Sequence, residues 1–192
     1  MRFRTFFLAA GLLLAALLQP AETAAQPFAD PGTAAGLLGF YERTPDAAGG
    51  AFAAGAQVLA RLTGVLGVEL FAGYRRVEYE SGGAKVLRVT QVPFQLSVIG
   101  YLLPNLRIQP YVLGGGGYYR IWATCLGPEE ARGRSIENKF ALHAGAGIDV
   151  RTGRAFSIRA EGRYIFLDVD AVTALGKSAK GWQTGAGFNV YF

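Results

Sequence analysis

The sequence predicts an all-β fold: an eight-stranded antiparallel up-and-down transmembrane β-barrel, preceded by a cleavable signal peptide. Three observations predict it. Apolar and polar residues alternate with a period of two along most of the chain, as in strands with two different faces. Tight and long connections alternate between these segments, which indicates antiparallel neighbours. The closing stretch GAGFNVYF alternates to its last residue, whereas a chain terminus without a partner usually frays.

The start of the chain has the parts of a secretory signal peptide. Arg2 and Arg4 give a positive start, an apolar run follows, and small residues at 23–25 offer a cleavage site. The apolar run is shorter than the ~20 residues that a membrane-spanning helix needs. We therefore expect residues 1–25 to be removed and residues 26–192 to form one barrel domain.

Composition and charge exclude several classes of function. The formal net charge is +5, from 19 Lys and Arg against 14 Asp and Glu, and becomes +4 without the two Arg and one Glu of residues 1–25. No basic cluster is dense enough to indicate nucleic-acid binding. Cys125 is the only cysteine, which excludes an internal disulfide and a multi-cysteine metal site. The sequence predicts no cofactor, no metal and no nucleic-acid partner.

The first four predicted strands follow from the way each segment sorts its residues. The first, AAGLLGFYER, is the weakest. The second, FAAGAQVLARL, places Gln57 and Arg61 on its polar face. The third, LGVELFAGYR, does the same with Glu69 and Arg75, and the fourth, PFQLSVIGYL, with Gln95. All eight predicted strands span residues 34–43, 50–62, 65–79, 86–102, 106–122, 137–151, 154–168 and 180–192.

The fifth segment, PYVLGGGGYYRI, is apolar in both phases. If Arg120 marks the polar face, the apolar face is formed by Tyr111, Leu113, Tyr119 and Ile121. Its four consecutive glycines lie within a strand and no helix follows them. We interpret them as room for opposite walls to approach, not as a phosphate-binding loop.

The sixth to eighth segments sort most clearly. In AFSIRAEGRYIF, the charged residues Arg159, Glu161 and Arg163 share one face, whereas a helix would spread them around its circumference. The sixth segment, FALHAGAGIDVR, and the eighth alternate in the same way.

The connections fall into two sets. The tight ones are centred on Thr63-Gly64, Pro104-Asn105 and Thr152-Gly153, all with turn-forming residues. The longer ones lie around residues 44–49, 80–85, 123–136 and 169–179. Cys125 falls in the third of these, where we interpret it as an incidental loop residue.

Two folds fit alternating strands: a membrane barrel, and a water-soluble sandwich or lipocalin-type cup. The soluble folds would carry mostly Thr, Lys, Glu and Ser on their outer face. Here the polar face is rich in Gly and Ala, which suits a narrow interior. In hydrocarbon no water satisfies free backbone groups, so the sheet must close. The apolar face carries aromatic residues near strand ends, as in the interfacial girdles of membrane barrels: Phe52, Tyr74, Phe94, Tyr111, Phe140, Phe156, Phe166, Trp182 and Phe192.

The mature chain resembles the small eight-stranded outer-membrane barrels of Gram-negative bacteria, the OmpA-transmembrane and OmpX-like class. The resemblance rests on PYVLGGGGYYR, on HAGAGIDVRTGRAFSIRAEGRYIF and on the closing GFNVYF. The last matches the family's C-terminal recognition signal at Gly187, Val190 and Phe192. It implies insertion by the outer-membrane barrel assembly machinery. Gly185 departs from the pattern, since a polar residue is expected there.

This resemblance implies a monomer in the bacterial outer membrane with both termini in the periplasm. Its surroundings would be outer-membrane lipid and lipopolysaccharide. Basic residues of the loops and rim could meet lipopolysaccharide phosphates: Arg76, Lys85, Arg88, Lys139, Lys177 and Lys180.

The polar faces, if they point inward, place a charged network in the lumen. Its predicted members are Gln57, Arg61, Glu69, Arg75, Gln95, Arg120, His143, Asp149, Arg159, Glu161, Arg163 and Asn189. An eight-stranded barrel is just wide enough for side chains to fill it, and buried charges must be paired. We therefore expect a plug that stabilises the barrel. The alternative is a narrow passive pore for small solutes, with a preference for anions.

A lipid A-modifying enzyme is the remote alternative, because lipid A deacylases and palmitoyltransferases use barrels of this size. Both act through a histidine paired with a serine and an acid. The single histidine, His143, is followed two residues later by Gly145, and the sequence offers no obvious nucleophile for it. We expect no catalytic residues. The predicted role is structural, in membrane integrity or surface interaction.

Overall fold

The computed structural model describes residues 32–43, 49–81, 83–126, 134–174 and 176–192. The predicted signal peptide therefore lies outside the described residues. Within these residues there are eight strands and one short helix: β1 (Thr33–Arg43), β2 (Ala51–Arg61), β3 (Leu66–Ser81), β4 (Ala84–Tyr101), β5 (Ile108–Cys125), β6 (Arg134–Arg151), β7 (Phe156–Phe166), α1 (Asp170–Thr173) and β8 (Gly181–Tyr191).

The strands form one closed barrel in chain order, and every pairing is antiparallel. The seam joins β1 to β8, from Ala34 opposite Tyr191 to Arg43 opposite Trp182. Beyond it, the Phe192 N–H donates to the Thr33 carbonyl at 3.0 Å. Closure pairs every strand on both sides over the height that all eight strands share, as a hydrocarbon environment requires. The predicted fold class is confirmed.

The barrel is taller on one side. Strands β3 to β6 have 16 to 18 residues, whereas β1, β2, β7 and β8 have 11 each. The extra length lies at the end opposite the three tight turns. We call these two ends the long-loop end and the short-turn end.

The prediction of a long loop at residues 80–85 is wrong. Pairing between β3 and β4 continues to Ser81 opposite Ala84, so only two residues separate the strands. Gly83 has φ +79°, a left-handed conformation that glycine adopts without strain. The polar residues Glu80, Ser81 and Lys85 resemble a loop in the sequence because this hairpin projects beyond the apolar belt.

Two further details at the long-loop end differ from the sequence prediction. Cys125 is the last residue of β5, not a residue of the following loop, and it is exposed. The connection between β7 and β8 contains α1, which no periodic pattern signals because it is only one turn long. No helix in the described part of the chain is long and apolar enough to cross a membrane.

The outer face is apolar over the middle of every strand. Large exposed apolar side chains include Leu37 on β1, Leu96 and Val98 on β4, and Phe140 on β6, which is 70 % exposed. Aromatic residues ring the outer face near the long-loop end: Tyr41, Phe52, Tyr74, Phe94, Tyr118, Phe140, Phe166 and Trp182. We call this ring the aromatic girdle. On the short-turn side, Phe156 and Phe188 stack with ring centroids 5.8 Å apart.

The predicted phase of β5 is wrong. Tyr111, Leu113, Tyr119 and Ile121 are buried inside the barrel, and Arg120 is exposed on the outer face. The error has two causes. Four consecutive glycines erase the alternation, and the interior is not polar throughout. For the same reason, the prediction that Tyr111 belongs to the lipid-facing aromatic residues is wrong.

The interior is layered from end to end. A small apolar cluster around Leu59, Ile99 and Tyr101 lies near the short turns. Charged and amide side chains fill the middle together with a few apolar ones, Leu38, Phe40 and Phe71. A second, larger apolar cluster at the long-loop end is covered by the β7–β8 connection, through Leu167 and Val172.

Candidate functional site: the charged interior

Two arginines and two glutamates meet at the centre of the barrel. Arg159, Glu161 and Arg163 point inward from β7 at two-residue spacing, and Glu69 comes from β3 on another part of the wall. All four side chains are 0 % exposed. We call them the central ion cluster.

The central ion cluster is a closed ring of ion pairs. One Glu69 oxygen lies 2.7 Å from Arg159 Nη1 in an ion pair, and the other accepts a hydrogen bond from Arg163 Nη2 at 2.9 Å. Glu161 contacts Arg159 Nε at 2.9 Å and also pairs with Arg163. Two positive charges thus balance two negative ones. This balance is necessary because an unpaired charge in such a place would be very unfavourable.

Tyrosine and glutamine side chains surround the central ion cluster and form hydrogen bonds with it. The Tyr111 hydroxyl donates to Glu161 Oε2 at 2.8 Å, and the Arg159 guanidinium lies 4.5 Å from the centre of the Tyr111 ring. Arg163 Nη1 donates to Gln95 Oε1 at 2.8 Å. Gln95 Nε2 in turn donates to the Tyr119 hydroxyl at 2.6 Å.

A glycine on β6 makes room for this arrangement. A Cβ atom at Gly147 would meet the Tyr111 hydroxyl and the Ala160 carbonyl oxygen. The tyrosine therefore reaches Glu161 only because its cross-strand neighbour has no side chain.

A second ion pair lies between the central ion cluster and the long-loop end. Arg75 from β3 pairs with Glu42 from β1, and both side chains are buried. Gln183 Nε2 donates to Glu42 Oε2 at 2.8 Å, and Arg75 Nη1 donates to Gln91 Oε1 at 3.2 Å. This group ties β1, β3, β4 and β8 together across the lumen.

Cations stacked on aromatic rings close the network toward the short turns. The Arg61 guanidinium lies 3.8 Å from the centre of the Tyr101 ring, and that of Arg151 lies 3.6 Å from the centre of the Tyr191 ring. The Tyr191 hydroxyl donates to Asp149 Oδ2 at 3.1 Å.

The structure places all but one of the predicted lumen residues inside the barrel. Buried inside are Gln57, Arg61, Glu69, Arg75, Gln95, His143, Asp149, Arg159, Glu161, Arg163 and Asn189. Arg120 is on the outer face and takes no part in the network. Further polar residues that the sequence did not reveal as part of the lumen are also buried inside, among them Glu42, Gln91, Gln109 and Gln183. Their place in the two-residue alternation of β1, β4, β5 and β8 is the signal that could have identified them.

His143 has a serine partner that the sequence did not reveal. Its Nε2 lies 2.8 Å from Ser97 Oγ, and both side chains are buried. The expectation that this histidine has no serine within reach is therefore wrong. The two residues are 46 positions apart, so only the register of the barrel brings them together. Nδ1 of His143 has no hydrogen-bond partner among the described residues, so no acid orients the ring as in a catalytic triad.

A small cavity lies beside these groups. A cavity of about 10 Å³ is lined by Phe40, Phe71, Arg75, Gln95 and Tyr119, among others. That is about the space of one water molecule. Within the described residues, no group of three or more His, Cys, Asp or Glu side chains could hold a metal ion.

Three solved structures show the same architecture at low sequence identity. OprG of Pseudomonas aeruginosa is 18 % identical with a TM-score of 0.67, over 84 % of this chain and 96 % of OprG. The N-terminal β-barrel domain of OprF from the same organism is 18 % identical with a TM-score of 0.53, over 87 % and 100 %. The attachment invasion locus protein Ail of Yersinia pestis is 15 % identical with a TM-score of 0.52, over 85 % and 100 %.

No curated protein matches the chain significantly. The family model described as "Outer membrane protein beta-barrel domain" matches residues 7–192. With this match and the closed eight-stranded barrel, the location is the bacterial outer membrane. The chain belongs to the outer membrane protein beta-barrel domain family.

Proposed function

We propose that this chain is a structural protein of the outer membrane, whose lumen is closed by its own side chains. The observation that carries the proposal is the central ion cluster. One of its four charged side chains comes from β3 and three come from β7; all four are 0 % exposed and paired with one another. A path for solutes would have to break these pairs, and breaking a buried pair leaves an uncompensated charge at a cost of about 3–5 kcal/mol.

Planar bilayer recording tests the closed lumen. We expect the folded protein to leave the membrane current at baseline. Glu69→Gln and Glu161→Gln remove one charge each from the central ion cluster, and Glu78→Gln serves as a control that removes a charge outside the lumen. Discrete conductance steps in the unmodified protein would overturn the proposal and favour the narrow pore. Their loss or change in the two lumen variants, but not in the control, would locate the path.

The orientation we propose places both termini in the periplasm and the long-loop end outside the cell. The short-turn end consists of turns of a few residues, whereas the long-loop end carries the extended β3–β6 wall and α1. Short periplasmic turns and longer external loops are the pattern of bacterial outer-membrane barrels. The exposed loops and rim at this end are where any surface interaction would take place. We propose that the protein acts as a monomer.

The closing strand also supports a biogenesis partner. Gly187, Val190 and Phe192 lie at the end of β8, with Val190 and Phe192 exposed on the outer face. We propose that they form the signal read by the barrel assembly machinery. Their outward position leaves the apolar side chains accessible before the seam closes.

A lipid-modifying activity is not part of this proposal. Ser97 and His143 are buried within the barrel, away from any lipid ester, and Nδ1 of His143 lacks an acid partner among the described residues. Mass spectrometry of lipid A from cells with and without the protein checks this. A change in acylation that disappears in Ser97→Ala would overturn the non-enzymatic assignment.

A further inference from the structure

We propose that Arg76 and Arg120 form a docking site on the outer wall for the phosphate groups of an outer-leaflet glycolipid. Arg120 is the starting observation. It is an exposed arginine on the membrane-facing side of β5, in a wall that is otherwise apolar at its middle. A charge in that position is unfavourable unless it reaches the interface.

The strand register gives the height of Arg120. The row of paired residues Phe94, Tyr118 and Phe140 belongs to the aromatic girdle. Arg120 is two residues further along β5 toward the long-loop end. It therefore lies just beyond the girdle, where the acyl chains give way to polar headgroups.

Barrel tilt brings Arg76 to the same height. The row that contains Phe94 runs from Phe188, near the short-turn end of β8, to Phe140 in the upper part of β6. Rows therefore climb by about 3 Å per strand, and each two-residue step along a strand climbs about 5 Å, for a tilt of about 40°.

The row that contains Arg76 and its partner Thr90 is one two-residue step above the row that contains Arg120. Arg76 itself is on β3, two strands before β5, where every row lies lower. The two differences nearly cancel, so the two α-carbons differ in height by roughly 1 Å and lie about 12 Å apart across β4. Two extended arginine side chains can close that distance around one headgroup.

The carboxylates near this site are engaged elsewhere. Glu78 contacts Lys85 Nζ at 2.6 Å and Arg88 Nε at 2.9 Å, and Glu80 lies opposite Lys85. Among the described residues, neither Arg76 nor Arg120 has an ion-pair partner. The Arg120 guanidinium lies 5.4 Å from the centre of the Trp122 ring.

A phosphate is the anion that this geometry fits. Guanidinium groups bind phosphate oxygens with two parallel hydrogen bonds, and such charge-assisted bonds are the strong ones. In the proposed orientation, the lipids at this height are the phosphorylated glycolipids of the outer leaflet. The proposal rests on that orientation, but not on the closed lumen.

Native mass spectrometry of the purified folded protein in neutral detergent tests the site, with bisphosphorylated lipid A as the probe. The test variant is Arg76→Gln with Arg120→Gln. The matched control is Arg43→Gln, an exposed arginine at the end of β1 on the opposite side of the barrel, next to Trp182. Heat-modifiable migration on gels confirms that each variant is folded.

We expect the double variant to bind lipid A at least about tenfold more weakly, and the control to change by less than about twofold, because only the double variant loses the charge-assisted contacts. Chemically dephosphorylated lipid A should bind the unmodified protein and the double variant equally. Arg76→Lys with Arg120→Lys should retain part of the affinity, since lysine keeps the charge without the bidentate geometry.

Three results would overturn the proposal. The first is a double variant that binds lipid A as the unmodified protein does. The second is an equal loss in Arg43→Gln, which would mean that any surface arginine suffices. The third is phosphatidylglycerol binding of equal strength with the same dependence on both arginines, which would assign the site to phospholipid. Conductance recordings are unaffected by these outcomes, so failure of this site and failure of the closed lumen are separate results.

Discussion

Replacing Glu69 by glutamine removes one charge from the central ion cluster and changes little else. Glu69 neutralises Arg159 at 2.7 Å and Arg163 at 2.9 Å, and all three side chains are 0 % exposed. After the exchange, two buried arginines share the single carboxylate of Glu161. Breaking a buried ion pair typically costs about 3–5 kcal/mol. Because the glutamine oxygen can still accept a hydrogen bond from one arginine, we expect a loss of about 3 kcal/mol in the free energy of unfolding.

Equilibrium urea unfolding in lipid vesicles measures this loss, followed by tryptophan fluorescence and by gel migration. Glu78→Gln is the control, because Glu78 pairs with arginine and lysine on the outside of the barrel and exposed pairs contribute little. The double variant Glu69→Gln with Arg163→Gln removes one charge of each sign. It should lose less than the sum of the single exchanges by about 2 kcal/mol. A loss below about 1 kcal/mol in Glu69→Gln, or strict additivity in the double variant, would refute the reasoning that these charges depend on one another.

Three further predictions follow from named positions. Gly147→Ala should destabilise the barrel by roughly 2 kcal/mol or more in the same urea assay, because the new methyl group meets the Tyr111 hydroxyl. Gly114→Ala is the control and should be close to neutral, because the nearest atom to a Cβ at Gly114 is 4.0 Å away. Phe192→Ala should lower the fraction of folded barrel in cells, seen as unshifted material on unboiled gels, while the purified variant still refolds in detergent. Maleimide that cannot cross membranes should label the exposed Cys125 on intact cells; labelling only after the outer membrane is permeabilised would reverse the proposed orientation.

The sequence was sufficient for the fold wherever one face of a strand is uniformly apolar. On β7, the charges at 159, 161 and 163 fix the phase, and the structure places all three inside. The closing of the seam could be predicted from the hydrocarbon environment alone, because backbone groups there have no other partner.

The phase of β5 could not be read in the same way. Its residues are apolar on both faces, and the interior at the long-loop end is itself apolar, with Ile121 buried there. A single arginine was therefore a poor marker of the inside. Arg120 lies on the outer face just beyond the aromatic girdle, and this height depends on register and tilt, which alternation does not encode.

The partners within the lumen were also beyond the reach of the sequence. Ser97 and His143 are brought together by the pairing of β4 with β5 and of β5 with β6. The register of each pair depends on where the connecting turn ends. Alternation predicts that a residue points inward, but not which residue it meets there.

The apolar face of each strand lies in lipid and the polar face lies in the lumen. Spin labels placed one at a time at residues 94–100 of β4, in a Cys125→Ser background in lipid bilayers, test it most directly. Collisions with oxygen should be frequent at Phe94, Leu96 and Val98, which are exposed, and rare at Gln95 and Ser97, which are buried. Oxygen collisions without a two-residue alternation, or with the opposite phase, would contradict the account.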